Sequence, residues 1–287
     1  YLRSIQVNLI FYELDENFLP NYSLLNYLNR NENIDVFVHV HYFGQIGGQH
    51  KSRDFCDKCD AILIEDCAHI MSPGLSQKWR GDYLIFSPHK HFPLPAIALI
   101  IARDKFFLLD HYKEEQFPYW WIVKEVIKKF MKFKKTVVWK RTWSKEEQVL
   151  NISQSNKRIR GVTSSYLHNY LPKCNKRKIN ALNLMNVLSL IPDWSPLQDE
   201  SLLECPYLLG MICQSSEIAE RRFALLNQNE QLVMQWPDLP VEIIQDLHLK
   251  EQCTNLLDRT LFFFTHQQLD APKINNQIVS IIRKPMF

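Results

Sequence analysis

The sequence predicts an α/β fold, a mostly parallel sheet flanked by helices, followed by a smaller carboxyl-terminal α/β domain. Three observations predict it. The first hundred residues alternate short apolar, β-branched runs with helical patterns, which is the signature of a sheet covered on both faces. The composition changes sharply at Phe117, where aromatic residues and lysines take over. From Tyr207 onward the alternation of strand-like and helix-like segments resumes.

Taken in order, Val7 to Tyr12 reads as a strand, and Tyr22 to Asn29 as a short helix with Leu24, Leu25 and Leu28 on one face. Val36 to His41 is apolar and β-branched enough for a buried strand, in which His39 and His41 are expected to face opposite sides and to be structural. A turn at Gly44 to Gly48 leads into a polar helix ending near Lys58; Ala61 to Glu65, Tyr83 to Phe86 and Ala96 to Ala102 complete the strand set. Phe117 to Trp143 has the spacing of a basic amphipathic helix, with apolar Trp120, Trp121, Ile122, Val126, Ile127, Phe130 and Phe133 set among lysines. A helical pattern over Ser165 to Leu190 breaks near Pro172, and Asp193 to Pro196 reads as a loop. Then follow a strand at Tyr207 to Cys213, a serine-capped helix at Ser216 to Asn227, helices at Val241 to Asp246 and Gln252 to Leu257, and a strand at Leu261 to Phe264. The expected organisation is a first domain over 1–112, a basic helical connection over 113–165 and a small domain over 166–287.

Bulk properties narrow the function. A net charge of +3 over 287 residues is too small to demand a nucleic-acid partner. Seven glycines are too few for the glycine-rich loops of dinucleotide or nucleoside-triphosphate sites, and Gly47-Gly48 matches neither pattern. Seven scattered cysteines, an odd number, read as reduced thiols of a cytoplasmic protein, and Cys56-x-x-Cys59 lacks the second pair of a zinc site, so no metal is expected. No apolar run is long enough to cross a bilayer. Peripheral membrane contact through Trp120 to Lys140 is the weaker use of that helix; packing on its own domain is the stronger. A first residue that is not methionine, running almost at once into a strand, suggests that an amino-terminal part precedes Tyr1.

The chemistry-bearing residues stand at strand ends, where open parallel sheets place their ligands. Ile64-Glu65-Asp66-Cys67-Ala68-His69 puts an acid at the end of one strand. Gly81-Asp82 leads into the next, and Ser87-Pro88-His89-Lys90 follows it immediately. An acid, a hydroxyl and a lysine placed in this way are expected to converge on one small anionic ligand.

The order and spacing of these pieces resemble the DegT/DnrJ/EryC1/StrS family of aminotransferases, which depend on pyridoxal 5'-phosphate (PLP) and have the aspartate-aminotransferase fold. Val38 to Gly44 looks like the family's strand ending in a V-H-x-Y-G turn, and Ile64 to His69 looks like its I-E-D-x-A-[QH] segment. Gly81-Asp82, Phe86-Ser87 and Lys90 look like its G-D-x-x-x-F-S-x-x-K run, and Thr265-His266-Gln267 is similar to an L-P-x-H-Q stretch near its end.

The resemblance implies that Lys90 is the catalytic residue, carrying PLP as a Schiff base and shuttling a proton during amino transfer. It implies that Asp66 faces the pyridine nitrogen, that Ala68 lets the ring lie flat, that His69 bonds the phenolic oxygen and that Ser87 donates to the phosphate. The implied reaction takes an amino donor such as glutamate and aminates a nucleotide-linked keto-sugar, in a homodimer. One departure stands out: relatives with K-x-L-P-x-P-D-G-G have two glycines where this chain continues Pro95-Ala96-Ile97-Ala98. That change, with the missing amino end, keeps open the alternative of a catalytically degenerate binding or scaffold protein.

Overall fold

A computed structural model describes residues 7–71, 79–95, 97–103, 116, 118–121, 123, 155–228, 232–236 and 239–282. The chain divides into two compact units. The first takes the described residues up to 123, those of 155–175 and Ser201–Cys205; the second takes Lys176–Glu200 and the described residues from Pro206 on.

The first unit is built on a four-stranded sheet in the order β1 (Val36–Val40), β2 (Ile62–Cys67), β3 (Tyr83–Phe86), β4 (Leu99–Ala102). The first three strands run parallel and β4 is antiparallel to β3. Period-two alternation sends Phe37, Leu63, Leu84 and Phe86 to one face, where all are buried. Helices α1 (Tyr22–Asn31) and α2 (Gln49–Cys59) bring Leu25, Phe55 and Cys56 into a core cluster with Phe37 and Leu63. Asn21 caps α1 through the Leu24 amide, and α2 stops at Asp60, which takes a left-handed conformation. A second cluster joins Cys67, Leu84, Phe86 and Trp79 to Cys174, with Tyr166 and Tyr170 packed against it. Those residues lie on helices α3 (Lys157–His168) and α4 (Tyr170–Leu188). On the opposite face Val36, Val38, Ile62 and Ile100 remain 38% to 50% exposed, so the cover expected on both faces is provided on one by the described residues.

The second unit holds an antiparallel sheet in the order β5 (Trp194–Pro196), β6 (Leu208–Cys213), β8 (Thr260–Phe264), β7 (Val233–Met234). Helices α5 (Ser216–Leu226), α6 (Val241–Gln245), α7 (Leu247–Asp258) and α8 (Ala271–Ile282) belong to it. Ser215 caps α5 by accepting from the Ile218 amide. Arg222 pairs with Asp193 and lies 4.5 Å from the Trp194 ring, which ties α5 to β5.

Several expectations need correction. Val7 to Tyr12 forms no strand; Val7 and Phe11 are exposed, and Tyr12 reaches the sheet by its side chain, bonding the Val38 carbonyl and packing on Phe37. Asp193 to Pro196 is not a loop: Trp194 to Pro196 pairs with Met211 to Cys213 as an edge strand, the position in a sheet that tolerates proline. The helical break falls at Asn169, while Pro172 sits in the first turn of α4, where its missing N–H costs nothing. His39 and His41 do not face opposite sides. Residues two apart on a strand share a face, and these two rings lie 4.6 Å apart, both buried.

The basic helix expected over Phe117 to Trp143 lies outside the described residues except at 118–121 and 123, where Tyr119, Trp120 and Trp121 are helical and Trp120 is 82% exposed. All seven cysteines are free, and Cys56 and Cys59 are residues of α2. No helix among the described residues is long and apolar enough to cross a membrane.

Candidate active site

Three parallel strands end side by side, and each delivers a short segment to the same edge of the sheet. After β1 comes a turn over Tyr42–Gly44; β2 ends in Asp66 and Cys67 and passes into Ala68 and His69; after β3 a 3-10 turn spans Pro88–Lys90. The register sets Asp66 between Val40 of β1 and Ile85 of β3.

Neighbouring residues on β2 face opposite ways, and this divides two carboxylates between two tasks. Glu65 points into the core, where it is fully buried. Its Oε2 lies 2.7 Å from His41 Nε2, and its Oε1 accepts from the Arg80 amide at 2.6 Å and the Gly81 amide at 2.5 Å. Gly81 is required for this approach, since a Cβ there would stand 2.8 Å from the Tyr83 carbonyl oxygen and 3.1 Å from Glu65 Cγ. His39 continues the buried network through Ser52 Oγ at 2.5 Å, and Ser52 in turn meets the Tyr22 hydroxyl at 2.8 Å. Burial holds the His39 ring well below the usual imidazole range, with His41 adding to the effect.

Asp66 faces the other way and is partly exposed. Its Oδ1 accepts from the Ala68 amide at 2.8 Å, and Oδ2 has no hydrogen-bond partner among the described residues. Asp82 is structural: its Oδ2 accepts from the Leu63 amide at 2.7 Å and from Arg53 at 2.9 Å, which fixes the start of β3 against β2 and α2. Its carboxyl group is held below the ordinary range by the Leu63 amide and by Arg53, which outweigh burial.

Lys90 closes the 3-10 turn, its amide bonding the Ser87 carbonyl at 3.0 Å. Pro88 opens that turn, where its fixed φ suits a first helical position. The Lys90 amine is half-buried, and burial lowers its pKa against the opposing attraction of Asp66. His69, 7% exposed, is pushed down to about 3, by burial first and then by the positive charge of Lys90. Asp66, His69 and Lys90 are therefore within electrostatic reach of one another, with Ala68 between two of them in the chain. His69 Nδ1 accepts from the Phe43 amide at 3.2 Å. The Ser87 side chain caps nothing and makes no hydrogen bond among the described residues.

Two participants escaped the sequence reading. Glu65 was visible only as part of the acidic pair, and period-two alternation was the signal that assigns it to the core. Phe43 carried no signal, since its contribution is a backbone N–H. Thr265, His266 and Gln267 lie in the second unit: Thr265 Oγ1 bonds the Pro206 carbonyl at 2.6 Å, and Gln267 accepts from Arg177 at 2.7 Å. Burial lowers His266 to about 4, with Arg177 contributing.

No family model matches the chain, and no curated protein is similar to it in sequence. Solved structures do match its fold. A Helicobacter pylori aminotransferase involved in the biosynthesis of pseudoaminic acid aligns over 98% of this chain and 75% of its own, with a TM-score of 0.65 and 15% identity. The E. coli GDP-4-keto-6-deoxy-D-mannose-3-dehydratase with bound hydrated PLP aligns over 98% and 76%, with a TM-score of 0.63 and 14% identity. A DegT DnrJ EryC1 StrS aminotransferase from Brucella abortus aligns over 96% and 72%, with a TM-score of 0.61 and 12% identity. This chain has the α/β fold of those PLP-dependent enzymes.

Proposed function

We propose that the chain is a PLP-dependent aminotransferase that aminates a nucleotide-linked keto-sugar, working as a cytoplasmic homodimer. One observation carries the reading: an amine, a carboxylate and a neutral imidazole, Lys90, Asp66 and His69, lie within electrostatic reach at the ends of adjacent parallel strands. The donor set fits the cofactor. Half-burial favours the neutral, nucleophilic form of the Lys90 amine, the form that condenses with an aldehyde. Asp66 Oδ2 is available to a pyridinium N–H, the Ser87 hydroxyl to a phosphate, and Ala68 offers a small side chain beneath a flat ring.

When bound, the cofactor supplies an electron sink that stabilises negative charge on the substrate carbon. Asp66 would hold a proton on the ring nitrogen. Lys90 would hold the cofactor through Nζ, and that same atom would carry the proton moved during amino transfer. The keto-sugar rests on the names of the solved neighbours, which include an aminotransferase of pseudoaminic acid biosynthesis and a GDP-4-keto-6-deoxy-D-mannose-3-dehydratase. In this reading 1–112 is the cofactor domain, 113–165 the connection and 166–287 the small domain.

A scaffold that keeps the fold without turnover is the rival, and the segment after Lys90 favours it. Where those relatives have a glycine pair this chain has Ile97-Ala98, and the preceding His91, Phe92 and Leu94 are each 5% exposed or less. Added PLP distinguishes the two. The enzyme reading expects a visible absorbance band that Lys90→Ala abolishes and glutamate bleaches; a protein that stays colourless at saturating PLP refutes it.

A further inference from the structure

The turn after β1 holds its backbone in an uncommon state. Phe43 stands at φ 55 and ψ 11 and Gly44 at φ 97, two consecutive residues in the left-handed region. That region disfavours a bulky side chain by about 1–2 kcal/mol, and such strain persists where the surroundings over-determine it. Here they do. The Phe43 ring is 3% exposed, meets Phe18 edge-on at 5.7 Å and stacks on the His69 ring at an interplanar angle of 19°. The strained backbone turns the Phe43 N–H toward His69 Nδ1, 3.2 Å away.

A backbone N–H only donates, so Nδ1 accepts and carries no proton. The ring is neutral, because burial and the neighbouring Lys90 charge hold its pKa near 3. A neutral imidazole keeps one proton, which is therefore on Nε2. We propose that Phe43 is a positioning residue: its backbone N–H locks the buried His69 ring as the Nε2-protonated tautomer, making it a fixed hydrogen-bond donor to an oxygen of an anionic aromatic ligand held by Lys90 and Asp66. The ligand clause rests on the PLP reading above; the tautomer does not.

The cofactor-free protein, labelled with 15N-histidine, tests the lock by long-range proton–nitrogen correlation. His69 is identified as the signal absent from His69→Gln. The expected result is a bare Nδ1 and a protonated Nε2, unchanged between about pH 8 and 5. A proton on Nδ1, or an imidazolium in that range, overturns the lock. Phe43→Leu removes the stacked ring and keeps the amide, so the tautomer is expected to persist; its loss would assign the effect to the stack and overturn the role of the amide. A measurement on a different variant guards against misfolding of Phe43→Leu: the Phe43 amide should exchange roughly tenfold slower in the unaltered protein than in His69→Phe, as loss of one hydrogen bond implies, and equal rates overturn the proposal.

PLP binding tests the ligand clause. His69→Gln, which retains a donor, should bind within about threefold of the unaltered protein, and His69→Phe roughly tenfold more weakly. Equal affinity for His69→Phe and the unaltered protein overturns that clause. Absence of PLP binding in every form, with the Nε2 proton still observed, removes the cofactor reading and this clause with it, and leaves the lock standing.

Discussion

Removing the buried carboxylate of Glu65 should unfasten the site from behind. Glu65→Ala deletes an acceptor shared by His41 Nε2 and the amides of Arg80 and Gly81, at 2.7, 2.6 and 2.5 Å. His41 and Glu65 are both within 2% of full burial, so solvent cannot replace the lost contacts cheaply. Breaking a buried pair by removing one partner costs about 3–5 kcal/mol, and each buried donor left without an acceptor costs about 1–3. The two figures overlap on His41, which places the loss near 4 kcal/mol. Urea unfolding followed by far-UV circular dichroism measures it as a fall in midpoint, and a cycle with His41→Phe isolates the pair. Coupling between the two substitutions above about 1.5 kcal/mol is expected. A loss below about 1 kcal/mol, or additive effects in the cycle, would show that the network is not what holds β1, β2 and the Arg80–Gly81 bend together.

Other perturbations reach neighbouring parts. Gly81→Ala puts a Cβ 2.8 Å from a backbone carbonyl, and overpacking of this kind should cost about 2 kcal/mol, read as a lowered melting temperature. His69, with its folded pKa near 3, gives stability that is complete above its unfolded pKa of about 6.5 and is lost as pH falls toward 3. His69→Gln should accordingly flatten the decline in stability between those limits, and an unchanged slope would contradict the neutral ring. Lys90 has its pKa lowered by burial, so the unfolded chain binds the extra proton in the window between the lowered value and the ordinary one, and stability should rise with pH across it. Lys90→Met, which carries no proton, should abolish that rise in urea titrations at increasing pH. Ser215→Ala, which removes the cap on the Ile218 amide, should cost about 1 kcal/mol in the same assay.

The parts legible in the sequence are those with a strong period and local chemistry. β3 is legible to the residue and β1 and β2 to within two; α1 is legible from its leucines on one face, α2 as a polar helix after a glycine turn, and α5 from its serine cap. Direction was not legible: Leu99–Ala102 is as apolar as a parallel core strand, and its reversal against β3 is decided by the course of the chain. Trp194–Pro196 looked like a loop because a three-residue edge strand containing proline has too little length for a pattern. Val7 to Tyr12 had the composition of a strand and found no partner ladder. At the site, side-chain chemistry singled out Asp66, His69 and Lys90, which the structure brings within electrostatic reach. What it could not register was any contribution made by main chain, as at Phe43, or by facing, as at Glu65.

The order of the two acids on β2 is thus a form of addressing. Glu65 and Asp66 carry the same functional group and differ by one methylene, yet a one-residue slip of β2 against its neighbours would send the longer acid to the face Asp66 occupies and leave the shorter one stranded under the sheet, short of His41. Register is weakly specified on a strand that is polar on both faces; here a single step would exchange the buried clamp for the acid beside Lys90, so correct alignment of β2 in folding is a condition for the candidate site to form at all.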